Sequence, residues 1–167
     1  MKKVFMFMLL AAMTLVASAQ NTGLKTFDCK LFSCQYPADF EPQEQWMDNA
    51  FNAQIEDTPN FFSASVSEEE IEYTNEQLKE YGEGMRMMTE KSFGEPTGWK
   101  AGPLVIKGKS YYFIAEGEED EVPTVKISYL VNTPNKRAFA GELKFAKKDE
   151  AKYKPLFDKI IASFKAK

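Results

Sequence analysis

Apolar and polar positions alternate along much of this chain. From Phe51 the order is Phe51, Ala53 and Ile55 on one side and Asn52, Gln54 and Glu56 on the other. That is the period of a strand with one wet face. Phe62, Ala64 and Val66 repeat the pattern, and Asp57-Thr58-Pro59-Asn60 between the two runs is turn chemistry. Together they predict an antiparallel hairpin. Thr26 to Tyr36 also reads as extended, with a break into a hairpin near Lys30. Pro37 ends it, because proline has no ladder donor and biases the residue before it to extended geometry. Four further strands follow a helical segment: Trp99 to Ile106, Ser110 to Glu116, Val122 to Asn132 and Arg137 to Phe145. Lys107-Gly108-Lys109, the acidic run Gly117 to Glu121, and Thr133 to Lys136 separate them.

Two segments change to the helical period. Thr74 with Gln77 three residues on is a capping-box pattern, and Leu78, Tyr81, Met85 and Met88 then recur at helical spacing. Gly82 and Gly84 weaken this helix by roughly 1 kcal/mol each relative to alanine. The stripe is expected to pack on a sheet. The same methionines read alternatively as an adaptable binding surface, with Met85 and Met88 as its candidates. Met87 falls off the stripe. Near the C-terminus Tyr153, Leu156, Phe157, Ile160, Ile161 and Phe164 form one apolar face of a second helix. Burying these side chains contributes about 1.5–3 kcal/mol each, so the segment should anchor the fold. Pro155 is awkward in a helix interior, so regular helix is expected to begin near it, after a looser turn.

Strands, helix, four strands and helix predict an α+β domain. A mainly antiparallel sheet of about six or seven strands is covered by two helices, as an α/β/α sandwich. Tyr112 and Ile114 alternate with Tyr111 and Phe113, so that strand is apolar on both faces. It suits a central strand covered on both sides by helices, or by a helix and a ligand.

The element order, the stretch "FSCQYPADF" and the closing "PLFDKIIASFK" resemble the PsbP-like fold family over most of residues 24–167. The resemblance implies a binding or assembly protein and brings no catalytic residues with it. The cysteine pair is not part of the family pattern.

The first residues predict the compartment. Lys2 and Lys3 precede an apolar run from Val4 to Val16, and Ala17-Ser18-Ala19 supplies small residues for a peptidase. This is the build of a secretory signal over 1–19, cleaved before Gln20. The run of about 13 residues is short of the roughly 20 that span a bilayer. The remainder, 20–167, is expected to be one soluble domain in the periplasm or outside the cell, with no stable membrane insertion once the signal is removed. The chain of 167 residues has a formal charge of −4, and losing two lysines with the signal makes it more acidic. That argues against nucleic acid as a partner.

Export bears on Cys29 and Cys34, which are the chain's two cysteines. An oxidising compartment lets a disulfide persist. If Lys30 to Ser33 formed a four-residue turn, the two would face each other at bonding distance. On one straight strand they would point apart and remain thiols. The spacing is not that of a redox dithiol, and without histidine two thiolates do not complete a zinc site.

The chain contains no histidine, which removes the commonest general base and the nucleophile pairs built on it. No glycine-rich phosphate loop stands between a strand and a helix. No cofactor or metal is indicated. The acidic runs Glu68 to Glu70 and Glu118 to Glu121 match no EF-hand spacing and read as solvated charge. Trp46, in a polar loop, and Trp99, at a strand entry, are candidate partner anchors or covers for the core edge. Three functions remain: a module that binds or assembles with another protein, a carrier for an apolar ligand or hydrophobic peptide, and an enzyme with a carboxylate or Ser-Lys centre.

Overall fold

The computed structural model describes residues 23–44 and 47–167. The expected signal segment, its cleavage point and Trp46 lie outside the described residues. Strands β1 (Leu24–Asp28) and β2 (Phe32–Pro37) form a hairpin, joined on its β2 side by the short β13 (Lys165–Ala166). A larger sheet of eight strands runs in the order β3 (Glu41–Pro42), β4 (Ala50–Gln54), β5 (Phe61–Val66), β12 (Ala138–Ala146), β11 (Val122–Asn132) and β10 (Ser110–Glu119). Strands β8 (Lys100–Ala101) and β9 (Val105–Lys107) share the far edge of β10. Helix α1 (Asn75–Glu90) leads into a hairpin of β6 (Lys91–Ser92) and β7 (Glu95–Pro96). Every pairing is antiparallel.

The α+β class, the mainly antiparallel sheet and the helical cover of both faces match the expectation, but the strand count does not. The large sheet has eight strands among the described residues, and a separate three-stranded sheet covers part of one face. Trp99 to Ile106 is not one strand. Gly102 and Pro103 interrupt it, leaving β8 and β9, because a proline cannot donate to the ladder. The acidic run 117–121 is not an open loop either. β10 continues to Glu119, and Asp120 and Glu121, both at positive φ, close a two-residue turn.

One face of the large sheet is sealed by aromatic packing. Phe51, Phe62, Ile127, Tyr129, Phe139, Leu143 and Phe145 point into it. From above come Phe32 and Tyr36 of β2 and Tyr153, Phe157, Ile160 and Phe164 of the C-terminal segment. Phe139 and Phe164 stack at 4.6 Å, and Phe157 meets Tyr112 edge-on at 5.3 Å. The expected C-terminal stripe is thus buried. Its helix is broken, however, into α2 (Glu150–Tyr153) and α3 (Phe157–Ala162) around a 3-10 turn at Lys154–Leu156 that holds Pro155. Ser163 ends α3 and pins it to β2, accepting the Gln35 N–H at 2.7 Å. Tyr129 crosses Gly141 on the neighbouring strand to donate to the Ser63 carbonyl at 2.6 Å. A Cβ on Gly141 would stand 2.8 Å from that hydroxyl.

The opposite face carries α1. Thr74 caps it and completes the expected box with Gln77. Asn132 brackets the entry by bonding both the N–H and the C=O of Tyr73. The buried side of α1 is Leu78, Gly82 and Thr89, not the stripe Leu78, Tyr81, Met85 and Met88. Leu104 lies where a Gly82 Cβ would go, at 2.5 Å. A glycine there lets the helix settle onto the β8–β9 segment, which rotates Tyr81, Met85 and Met88 outward.

The cysteines do not form a disulfide. Phe27 pairs with Cys34 and Asp28 with Ser33, and the Cys29 N–H donates to the Phe32 carbonyl. The turn is therefore Lys30-Leu31, two residues rather than four. Cys34 faces the core beside Phe32 and Tyr36, while Cys29 stands diagonally from it near the carbonyl of Asp48. Burial, and secondarily Cys29, push the Cys34 thiol up to about 12, so it stays protonated and unreactive.

Asp39, in the turn after β2, latches the C-terminal segment. Its carboxylate accepts from Lys152 Nζ and Tyr153 Oη, each at 2.6 Å. Burial alone would raise this carboxyl, but the two hydrogen bonds outweigh it and hold Asp39 below the usual range. The contribution is therefore present at pH above the ordinary carboxylate value and is lost as pH falls through the depressed folded value. Asp39→Asn should destabilise by roughly 1–2 kcal/mol near neutrality, towards the lower end because the carboxylate is partly solvent-screened. It should also flatten the loss of stability below about pH 4 in denaturant titrations. Thiol labelling checks the cysteines: maleimide should modify Cys29 well before Cys34, which is 1% exposed. Both should react on unfolding without reductant, and a mass two hydrogens short would contradict the hairpin register.

Candidate functional site

Seven large hydrophobic side chains are exposed among the described residues, and five lie between residues 81 and 93: Tyr81, Met85, Met87, Met88 and Phe93. Tyr81, Met85 and Met88 follow one another at four and three residues, so they share a side of α1. Met87 flanks them. Phe93 stands just beyond, at the tip of the β6–β7 hairpin, fully exposed and with φ at 52°. A bulky residue in that left-handed region is rare and strained by roughly 1–2 kcal/mol. Asparagine or glycine is the ordinary occupant of such a turn.

Between α1 and the large sheet runs a groove of about 320 Å³. Tyr81 and Met85 form its helix wall, Tyr111, Leu130 and Ala140 its apolar floor, and Ser63, Ser128 and Glu142 its polar side. The volume is at the bottom of the range for small-ligand sites, roughly 300–1,000 Å³. Burial, and secondarily Tyr73, raise the Tyr111 phenol to about 12, so it is neutral in this wall.

The charges beside the groove are arranged in sequence along the strands. Lys144 is bonded to Glu119 at 2.7 Å. The Lys126 ammonium lies 4.7 Å from the centroid of the Trp99 ring. Burial lowers the Lys126 ammonium from its ordinary value, with Glu142 pulling the other way. Glu142 thus acts on Lys126 through space without closing an ion pair, and it makes none among the described residues.

Of the residues singled out in the sequence, Met85 reaches the groove, and Met88 is outside it on the helix surface, 69% exposed. Trp99 lies apart from both. Its ring covers Gly117, where a Cβ would come within 2.6 Å of it, and joins the cluster of Leu78, Tyr111 and Phe113. That is the role of a core-edge cover. Tyr81, Phe93, Ser128 and Glu142 were missed. Phe93-Gly94 between short polar segments was a turn signal with an ill-suited first residue. Nothing local marked Glu142, which is one more outward position of an alternating strand. The acidic turn at Glu119-Asp120 comes beside Asp57 and Thr58 of the β4–β5 turn, but no three acidic, cysteine or histidine side chains converge to hold a metal among the described residues. Among those residues no helix is long and apolar enough to cross a membrane.

No family model and no curated protein sequence matches this chain. Solved structures do. Cyanobacterial PsbP (CyanoP) from Synechocystis sp. PCC 6803 is similar at a TM-score of 0.55 and 13% identity, over 87% of this chain and 93% of that one. A crystal structure from Bacteroides thetaiotaomicron is similar at 0.52 and 18% identity, over 87% of this chain, which spans 49% of that larger protein. The Ran-binding protein Mog1p of Saccharomyces cerevisiae is similar at 0.50 and 8% identity, over 85% of this chain and 94% of that one. With its antiparallel sheet, its α1 layer and its aromatic C-terminal closure, the chain has a PsbP-like fold.

Proposed function

We propose that this protein is an exported, non-catalytic module that binds another protein through the outer side of α1 and the tip of the β6–β7 hairpin. The observation that carries this reading is the concentration of exposed large apolar side chains, Tyr81, Met85, Met87, Met88 and Phe93, on α1 and the hairpin that follows it. Exposed apolar patches of this kind mark interaction sites, and methionine suits a surface that must adapt to its partner. Phe93 adds weight, because a strained aromatic with no intramolecular burial is retained at a cost to the fold. The absence of histidine from the chain leaves the enzyme reading with the least support. A protein of the same fold is by its name a Ran-binding protein, which is consistent with a binding role here. Export rests on the basic start, the apolar run and the small residues before Gln20.

A second reading, a carrier for an apolar ligand or hydrophobic peptide, draws on the groove beneath Tyr81 and Met85. Its small volume suits one side chain of a peptide better than a whole lipid.

Export is tested by sequencing the N-terminus of the fractionated product. It should begin at Gln20 in the periplasm or medium, and an intact Met1 in the membrane pellet would refute it. The surface is tested by envelope capture on immobilised protein. Met88→Asp and Phe93→Asn should each reduce the captured partner about tenfold. Phe93→Asn should at the same time raise folding stability by roughly 1 kcal/mol, because asparagine tolerates the left-handed turn. Capture unchanged by both substitutions would sink the proposal.

A further inference from the structure

We infer that the groove between α1 and the large sheet receives a lysine or arginine side chain of the partner protein, with Glu142 as its counter-ion. The inference rests on the protein-binding reading above and specifies what the partner must present there. Glu142 is the charged residue among those lining the groove. Lys144 is paired with Glu119, and Lys126 lies over Trp99 and feels Glu142 only through space, so Glu142 closes no ion pair within the described part of the fold. Ser128 supplies a second, independent sign. It is 6% exposed and lines the groove, and its hydroxyl makes no hydrogen bond among the described residues. No buried side-chain polar atom among the described residues lacks a partner, so this hydroxyl is open to the groove rather than sealed beneath it. Ser128 and Glu142 are directly paired across β11 and β12, so their side chains leave the sheet side by side on the groove face.

The remaining walls fit the rest of such a side chain. A lysine or arginine carries an apolar stem behind its charged head. Tyr81, Met85 and Leu130 offer that stem an apolar trough, and the Tyr81 ring at the mouth offers a face for a guanidinium. A purely apolar occupant would leave Glu142 and Ser128 desolvated and unpaired, which is unfavourable. An acidic occupant would be repelled. The exposed strip of Met85, Met87 and Met88 then meets apolar residues beside the basic one, so the partner segment is basic and amphipathic.

The test uses a random peptide library displayed on phage and selected on the protein, followed by affinity measurements on synthesised peptides. The inference expects selected peptides that carry lysine or arginine next to apolar residues. Their affinity should fall about tenfold with Glu142→Gln and should weaken as salt is raised. Replacing the peptide's basic residue by norleucine should produce the same loss and should abolish the further effect of Glu142→Gln. Binding of n-butylguanidinium alone, followed by amide shifts at Ser128 and Glu142, separates a site for free cations from one that needs a peptide; shifts confined to other regions overturn the assignment of the groove. Peptides that lack a basic residue, or that ignore Glu142→Gln yet are lost with Met88→Asp, overturn the counter-ion role and leave the docking surface standing. Peptides indifferent to both substitutions overturn both.

Discussion

A single α-helix is about 10 Å across, and neighbouring strands are about 4.8 Å apart. One helix therefore shields about two strands of a sheet, and that limit shapes this molecule. On one face of the eight-stranded sheet the C-terminal segment and the three-stranded sheet act together, and the aromatic layer is closed. On the other face α1 is the one helix among the described residues, helped at its edges by Tyr73, Trp99 and Leu104. It covers β10 and reaches β11, and beyond that line the outward positions are mostly small or polar, Ser63, Ser65, Ala140, Glu142 and Lys144, with Phe61 under the Lys144 ammonium. The groove is the border between the shielded and the open halves.

The same constraint explains why α1 carries the exposed apolar side chains. The sealed face has little freedom. Tyr129 crosses Gly141 to reach Ser63, Ser163 ties α3 to β2, and Asp39 latches Lys152 and Tyr153. Changes there disturb packing throughout the core. Apart from the edge-on contact of Tyr81 with Tyr73, the exposed methionines of α1 and Phe93 of the following hairpin are largely in solvent, so they can remain there with little effect on packing. The aromatic face serves as scaffold, and the surface chemistry is carried by a helix held at its start by Asn132 and along its length by Leu104.

Much of this architecture was legible in the sequence. Alternation located β4, β5, β11 and β12 closely, the Thr74–Gln77 box located the start of α1, and the stripe from Tyr153 to Phe164 located the C-terminal anchor. Where the reading failed, the deciding contact was distant in sequence or carried no hydrophobic signal. Gly82 and Thr89 do not register in an apolar pattern, yet Leu104 seats itself on Gly82 and sets which side of α1 is buried. The cysteine pairing turned on whether two or four residues make the β1–β2 turn, a choice fixed by Phe32, Cys34 and Tyr36 needing the core. Glu142 is left without an ion pair where Lys126 lies over Trp99 and Lys144 reaches Glu119, contacts that no local pattern announces.

Strand β13 pairs with the start of β2, and Ser163 grips Gln35 across 128 positions of sequence. The first hairpin thus has no finished layer to enter until synthesis has passed Phe164 and Lys165. Such long-range closure is slow relative to local folding. The aromatic interior therefore stays open until both edges of the small sheet, distant from each other in sequence, have been made.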